Sequence, residues 1–406
     1  MPRVLLLLPA AGYRNEDFLL AAQKLDAEVI TAADHCYRLA PLMGMSPILS
    51  LPFDQPEIAA EQALVSLGRS VDAVLAVDDH GLELAALLRK KLGLAGNPLQ
   101  AVRVTRDKLA FRQLQQTNGF NCPDFQAATS EADALALASS LQYPVVVKAR
   151  RLSASRGVVR ADDAALFVQA VARVHRIQSF ADRDAAQLGL IVEAFIPGPE
   201  FALEGLLENG ALRVLALFDK PDPLDGPYFE ETIYVTPSRL STATQDDVRR
   251  TTEWGCRALG LEQGPIHAEL RLGPSGPVVI ELAARSIGGL CSRTLTFGTG
   301  LSLEEVILRH ALGARDETVR REPGAAGVLM VPIPAAGRLE AVRGLEEAHA
   351  VADVVDVVIS AHLGQRLVPL PEGSRYLGFV FSRASSPERA EAALREAHSK
   401  LVFEIR

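Results

Sequence analysis

Cysteine is scarce. The 406 residues hold four, Cys36, Cys122, Cys256 and Cys291, far apart and with no CxxC pair. That argues against a zinc site or a disulfide framework, so a reducing cytosol is the expected compartment and each thiol is expected as a small core residue. Positive charge is in deficit: 42 Lys and Arg against 50 Asp and Glu leave a formal charge of −8. This speaks against a general nucleic-acid binder but leaves room for a local basic site. No apolar run approaches the roughly 20 residues of a membrane span. No GxGxxG follows the first apolar run, so the usual dinucleotide site is not indicated. Repeats and low-complexity segments are also missing. What remains is an ordinary globular composition, 48% hydrophobic and 23% charged with 5% aromatics, long enough for two or three domains.

The opening MPRVLLLLPAAG has the basic residue, apolar run and small residues of a short signal peptide. A buried strand at Val4 to Leu8 with a turn at Gly12 explains it better, because Arg14, Asn15, Glu16 and Asp17 then open an amphipathic helix. Strands are expected at 4–8, 28–31 and 71–77, with helices near 16–25 and 81–92. That alternation suggests a parallel sheet over the first 100 residues. TRDKLAFRQLQQTNGF (105–120) reads as a helix with Thr105 as N-cap and Gly119 as stop signal. A strand YPVVVKA (143–149) precedes the polar loop RRLSASRG. Strands joined by turns are expected over 190–218, with a hairpin turn at Glu208, Asn209 and Gly210. Further helices are expected at 243–260, 302–312 and 387–400.

IHAELRLGPSGPVVIELAAR (266–285) carries the sharpest question, because Glu269 and Glu281 sit in largely apolar runs. GPSGP is a turn cluster, so the flanks should pair as a hairpin. Centring the turn at Ser275 sets Glu269 opposite Glu281, His267 opposite Ala283 and Arg271 opposite Val279. Opposed carboxylates about 4.5–5.5 Å apart at Cβ repel each other unless a cation lies between them. Two readings stand: a Mg²⁺ site completed by phosphate oxygens and water, or a solvated pair with Arg285 as a salt-bridge neighbour. Lys148 ends the run VVVK beside a Ser-, Arg- and Gly-bearing loop. It suits a phosphate, or it is an exposed strand end; Lys108 at a helix start is equally ambiguous. In VEAFIPGPE (192–200), Glu193 and Glu200 flank a Pro-Gly-Pro turn, an extended segment able to offer backbone groups to a flat ring.

Lys108, VVVK at 145–148, SASRG at 153–157, VEAFIPGPEF at 192–201, HAEL at 267–270 and ELAAR at 281–285 occur in that order. Together they resemble the ATP-grasp superfamily, whose members join a carboxylate to an amine through an acyl phosphate. DKPDPLDGPYFEETIYVTPS (219–238) and ELAARSIGG narrow the resemblance to the dipeptide-forming L-amino-acid ligases. It implies an α/β chain with the ATP-grasp fold. A Rossmann-like parallel domain (1–100) would precede an ATP-binding region (101–324, lid about 125–193) and an α+β cap (325–406).

The resemblance also implies roles. Lys108 and Lys148 would contact ATP phosphates under a loop holding Ser155, Arg156 and Gly157. Glu193 with the backbone of Ala194 and Ile196 would hold adenine, and Glu200 the ribose. Glu269 and Glu281 would hold one or two Mg²⁺ ions (Mn²⁺ as an alternative), and Arg285 would stabilise charge on the acyl phosphate. Glu231 and Tyr234 are candidates for the amino-acid pocket, with Glu231 either receiving an α-ammonium or standing as an exposed loop acid. Gly288 and Gly289 would permit close backbone approach or leave room for a bulky first substrate, and Arg293 would meet a substrate carboxylate. His267 would orient a phosphate or sit satisfied in the core. Ala283 departs from the pattern, because many superfamily members carry Asn there as a further metal ligand; the phosphate loop is also less glycine-rich than in the carboxylases. The expected partners are small molecules, with neither nucleic acid nor membrane, and a homodimer is the default assembly. The rivals are a ligase for a nucleotide precursor or bicarbonate, which should differ at 219–238 and Gly288–Gly289, and a non-catalytic ATP-binding regulator, which would not need Arg285 with both glutamates.

Overall fold

Val4 to Leu7 are fully buried because their strand has parallel neighbours on both edges. The structure is a computed structural model that describes every residue except 10–11, 36–47, 69, 182–186, 299 and 315–318; the expectation for Cys36 lies outside the described residues. Strands β1 (Arg3–Leu7), β2 (Glu28–Ala33), β3 (Ile48–Ser50) and β4 (Ala73–Ala76) form a sheet in the order β3-β2-β1-β4, all parallel. Helices Asn15–Lys24 and Leu82–Leu92 match the expected positions. The parallel sheet over the first 100 residues is therefore as expected.

A second sheet, β5-β8-β6-β7, is antiparallel. It joins β5 (Phe125–Ala128), β6 (Val145–Ala149), β7 (Val158–Ala161) and β8 (Leu190–Ala194), with helix Ala164–Ala181 against it. The third and largest sheet carries the site. Its strands are β9 (Glu200–Glu208), β10 (Ala211–Lys220), β11 (Ile233–Thr236), β12 (Gly264–Gly273) and β13 (Gly276–Ala283). Small ribbons β14 (Thr296–Phe297) and β15 (Leu301–Ser302) follow. Then come β16 (Ala325–Val331), β17 (Gly337–Arg343), β18 (Val354–Ile359), β19 (Arg366–Leu367), β20 (Gly378–Ala384) and β21 (Val402–Ile405). The large sheet runs β13-β12-β9-β10-β11-β16-β20-β18, and β19-β17-β21 forms a separate one. It is thus continuous across the expected boundary at 324/325: β11 pairs with β16 over Ile233↔Leu329 to Thr236↔Ala326. The C-terminal segment extends the central sheet rather than standing apart from it.

Two local expectations need correction. The helix expected at 105–120 runs Lys108–Thr117, and its N-cap is Asp107, whose carboxylate accepts from the N–H groups of Leu109 and Ala110. Thr105 instead closes a preceding helix, Leu99–Thr105. The hairpin register also changes midway. Glu269↔Glu281 and His267↔Ala283 pair as expected, but a bulge follows, and Arg271 faces Val278 rather than Val279. Ile280 is the extra residue, on an edge strand where bulges are tolerated. Gly198 is needed at the neighbouring turn: it has φ +108°, and a Cβ there would lie 2.2 Å from the carbonyl oxygen of Leu272.

Candidate active site

The three sheets meet at one cavity of about 400 Å³. On one side it is lined by Lys108, Lys148 and Ser155, and from the end of β8 and the segment after it by Glu193, Ala194 and Ile196. Glu200, Glu231, Tyr234 and His267 form the floor. Glu269, Glu281 and Arg285 line the hairpin wall, with Gly288 and Gly289 beyond them. Arg156, Gly157 and Arg293 do not line it. Arg156 Nε donates to the Glu372 carbonyl at 3.0 Å, and Gly157 N–H donates to the Pro371 carbonyl at 3.0 Å, so both face the C-terminal segment. Arg293 pairs with Asp17 at 2.8 Å on the surface, which rules it out of the pocket in this conformation.

Lys148 is buried, not an exposed strand end, because its ammonium sits 2.6 Å from Glu193. Glu193 is also held by Arg112, whose Nη2 donates at 3.2 Å and whose Nε lies 3.0 Å away but off line for a hydrogen bond. Burial alone would raise the Glu193 pKa, but the two cations outweigh it and pull it down to about 2. This carboxylate is therefore committed to Lys148 and Arg112. Lys108 is placed by the Asp107 cap, which also binds Arg150 beyond β6; Lys108 Nζ donates to the Leu152 carbonyl. The Lys108 side chain thus lies beside the 153–155 loop, with no carboxylate partner among the described residues.

Sequence reasoning missed the cation beneath the floor acids, Lys220. It ends β10, and its ammonium lies 2.7 Å from Glu200, 2.5 Å from Glu231 and 3.4 Å from Glu269. Glu200, Glu231 and Glu269 have oxygens close enough to share one cation, and Lys220 is that cation here. Burial disfavours its charge, but the three carboxylates outweigh that and hold its pKa well above the ordinary value. Glu231 also accepts from Tyr234 Oη at 2.6 Å; burial, opposed by Lys220, leaves its pKa raised to about 7. It is a half-buried, hydrogen-bonded acid, not an exposed loop acid. Glu200 is bound in addition by Arg271 Nε at 3.0 Å.

His267 bridges Glu204 at 2.5 Å and Glu269 at 3.2 Å. Burial lowers its pKa, yet Glu204 and then Glu269 overcome this and raise it to about 9. It is a satisfied buried histidine that orients Glu269. Glu204 and Asp79 are two further residues the sequence did not flag. Asp79, in the turn after β4, pairs with Arg285 Nε at 2.9 Å. Burial lowers the Arg285 pKa, but Asp79 and Glu281 more than offset it and keep the guanidinium firmly charged. A short motif scan could have found neither acid, since each acts through a partner more than 60 residues away.

Glu281 differs from its neighbours. It is half-buried, lines the cavity opposite Glu269, and makes no hydrogen bond or ion pair with any described residue. An unpaired carboxylate beside a second one fits a hard cation with oxygen ligands. Ala283 lies opposite His267, so the hairpin contributes two protein carboxylates and no third ligand there. The donors present therefore fit Mg²⁺ between Glu269 and Glu281. Gly289 has φ +61°, and a Cβ there would crowd the Phe379 ring at 3.1 Å.

An antiparallel sheet facing a smaller lid sheet, with lysines on the lid side and paired acids on the other, defines an ATP-grasp protein. Residues 141–294 match the ATP-grasp domain family, and residues 329–406 match the L-amino acid ligase C-terminal domain 2 family. The crystal structure of L-amino acid ligase from Bacillus licheniformis superposes with a TM-score of 0.82 at 27% identity, covering 100% of this chain and 99% of that one. Carnosine synthase 1 of Gallus gallus is 31% identical over 65% of this chain and 30% of its own length. Alanine–anticapsin ligase of Bacillus subtilis is 23% identical over 63% of this chain and 57% of its own. The chain thus spans about a third to just over half the length of these two curated relatives. The chain therefore carries an ATP-grasp domain over 141–294 and an L-amino acid ligase C-terminal domain over 329–406, and over its whole length its fold is similar to that of an L-amino acid ligase. Among the described residues, no helix is long and apolar enough to cross a membrane.

Proposed function

We propose that this chain joins the carboxylate of an amino acid to the amine of a second one, using ATP and forming a dipeptide. The observation that carries the reading is the unpaired Glu281 beside Glu269 and Arg285 on one cavity wall. The two lysines and the 153–155 loop on the opposite side would receive the triphosphate. The backbone at Ala194 and Ile196 would hold the adenine, and Glu200 the ribose. Glu269 and Glu281 would hold Mg²⁺, which supplies charge neutralisation between phosphate oxygens.

The substrate carboxylate oxygen attacks the γ-phosphorus, giving an acyl phosphate and ADP. The amine then attacks the acyl carbon, and phosphate leaves as the amide forms. Arg285 stays charged through both steps and offers donors to the negative oxygens that develop. Glu200 is also held by Arg271 and Glu269 by His267, so Glu231, held by Lys220 and Tyr234, is the floor acid that a substrate ammonium would meet. Closure of the β5-β8-β6-β7 lid would keep water from the acyl phosphate. The regulator reading lacks a use for a charged Arg285 and a free Glu281 on the same wall.

The test is ADP release with Mg-ATP, with and without the pooled protein amino acids. Amino acids should stimulate release, and chelating Mg²⁺ or making Glu281→Ala should remove the stimulated part. ADP release indifferent to amino acids would contradict the reading.

A further inference from the structure

Arg375 lines the same cavity, at its mouth, and makes no hydrogen bond or ion pair with any described residue. A free surface arginine is ordinary, but this one leaves an anchored loop. The segment between β19 and β20 is held on the lid side by the Glu372 carboxylate, which accepts from Arg173 Nε at 2.7 Å and from Nη2 at 2.9 Å. The bonds from Arg156 and Gly157 to its backbone hold the same side. On the other side, the Tyr376 N–H donates to Tyr13 Oη at 3.1 Å, from the turn after β1. The loop therefore fixes the backbone on both flanks of Arg375.

The other arginines of the cavity are committed. Arg14 donates to Ser286 and the Val77 carbonyl, Arg271 binds Glu200, and Arg285 binds Asp79. Lys108 and Lys148 stand on the phosphate side. Joining two amino acids brings two carboxylates into the site. One reacts and loses its charge; the other survives in the product and needs a cation that the wall around Arg285 does not spare.

We propose that Arg375 is the specificity residue that receives the unreacting α-carboxylate of the amine-donating amino acid. The inference rests on the ligase reading above. A planar guanidinium matches a carboxylate through two parallel hydrogen bonds. Because the loop also holds the lid, that substrate is recognised by a residue tied to lid closure.

The test uses the full chain, Mg-ATP and the pooled protein amino acids, with the amine-side amino acid identified from the wild-type product by mass spectrometry. Arg375→Ala should raise KM for that amino acid about tenfold or more. The KM values for ATP and for the acid-side amino acid should stay within about twofold, and kcat should change little. With the carboxamide of the amine-side amino acid, wild type and variant should show the same KM, since the group Arg375 contacts is gone. Arg375→Lys should recover part of the loss. A rise in KM for ATP, an unchanged amine-side KM, or a wild-type advantage that persists with the carboxamide would each overturn the proposal. No amino-acid-dependent product from the wild type would overturn the ligase reading itself, and Arg375 with it; a working wild type with an indifferent Arg375→Ala would overturn the carboxylate assignment alone.

Discussion

Arg285→Met should lower kcat for amino-acid-stimulated ADP release by about 10²-fold or more, the size of effect found when a preorganised donor to a developing oxyanion is removed. The guanidinium is well placed to have that weight. Its side chain is only 12% exposed, its Nε is fixed on Asp79, and its Nη1 donates to the Ser286 carbonyl at 3.0 Å. A charge so fixed in a dry site needs no reorganisation when the tetrahedral oxygen forms, and water screens it little. Methionine keeps the stem and removes the charge, but it leaves Asp79 without its partner. Some loss of stability is therefore expected from the single variant. The double variant Asp79→Asn, Arg285→Met removes the stranded acid as well. It should regain stability while kcat stays low. Thermal midpoints and kcat measured on all three proteins separate the two effects. Recovery of kcat in the double variant would show that Arg285 acts through folding, not through the reacting oxygens.

The largest stability loss is expected at Arg112, which is 1% exposed and ties three parts of the site together. It pairs with Glu193 of the lid sheet, and it also donates to the carbonyls of Val279 and Ile280, at 3.2 and 3.1 Å. Those carbonyls flank the bulge in β13, and Gln115 donates to the first of them at 3.0 Å. A bulge on an edge strand leaves backbone acceptors without a ladder partner, and Arg112 with Gln115 supplies the donors. Arg112→Leu would leave Glu193 with Lys148 alone, take the Arg112 donor from the Ile280 carbonyl and leave the Val279 carbonyl with Gln115. Breaking one side of a buried ion pair costs about 3–5 kcal/mol.

The pH dependence should move with it. Glu193 has its pKa depressed to about 2, so its stabilising contribution is present above the unfolded value near 4.5 and is lost as pH falls through about 2. With Arg112 gone the folded pKa should rise towards the unfolded value, so the contribution should be smaller and its loss complete at higher pH. Urea midpoints at pH 7, 4.5 and 3 for wild type, Arg112→Leu and Glu193→Gln check this. A wild-type-like midpoint for Arg112→Leu at pH 7 would contradict it. The variant should also lose activity, because the bulge sets where Glu281 points.

Much of this was legible in the chain, for local reasons. Periodicity placed the first parallel strands, and the GPSGP turn centred the hairpin well enough to set Glu269 against Glu281. Lysines beside a polar loop, ordered before paired acids, marked the two sides of the cavity. The misses have a common physical origin. Lys220 becomes the hub of an acidic cluster only because β12, β9 and β10 lie side by side, bringing Glu269 and Glu200 to it, and β11 on the other side of β10 brings the preceding Glu231. Asp79 reaches Arg285 from the turn after β4 of the parallel sheet, and Arg112 reaches a bulge that period-two counting cannot foresee. Arg293 failed for the converse reason: it follows the catalytic strand in sequence, but the short helical turn Cys291–Thr294 aims it at Asp17. The resemblance placed residues in an order; long-range pairing decided which charges were left free.

The central claim is phosphorylation of a substrate carboxylate, and oxygen transfer tests it most directly. The acid-side amino acid is labelled with ¹⁸O in both carboxylate oxygens, and the phosphate released in one turnover is analysed by mass spectrometry. Attack on the γ-phosphorus followed by amide formation must carry one carboxylate oxygen into inorganic phosphate, leaving the other in the amide. One ¹⁸O per phosphate, with ADP as the nucleotide product, is the expected result. Unlabelled phosphate, or ¹⁸O appearing in AMP, would contradict it.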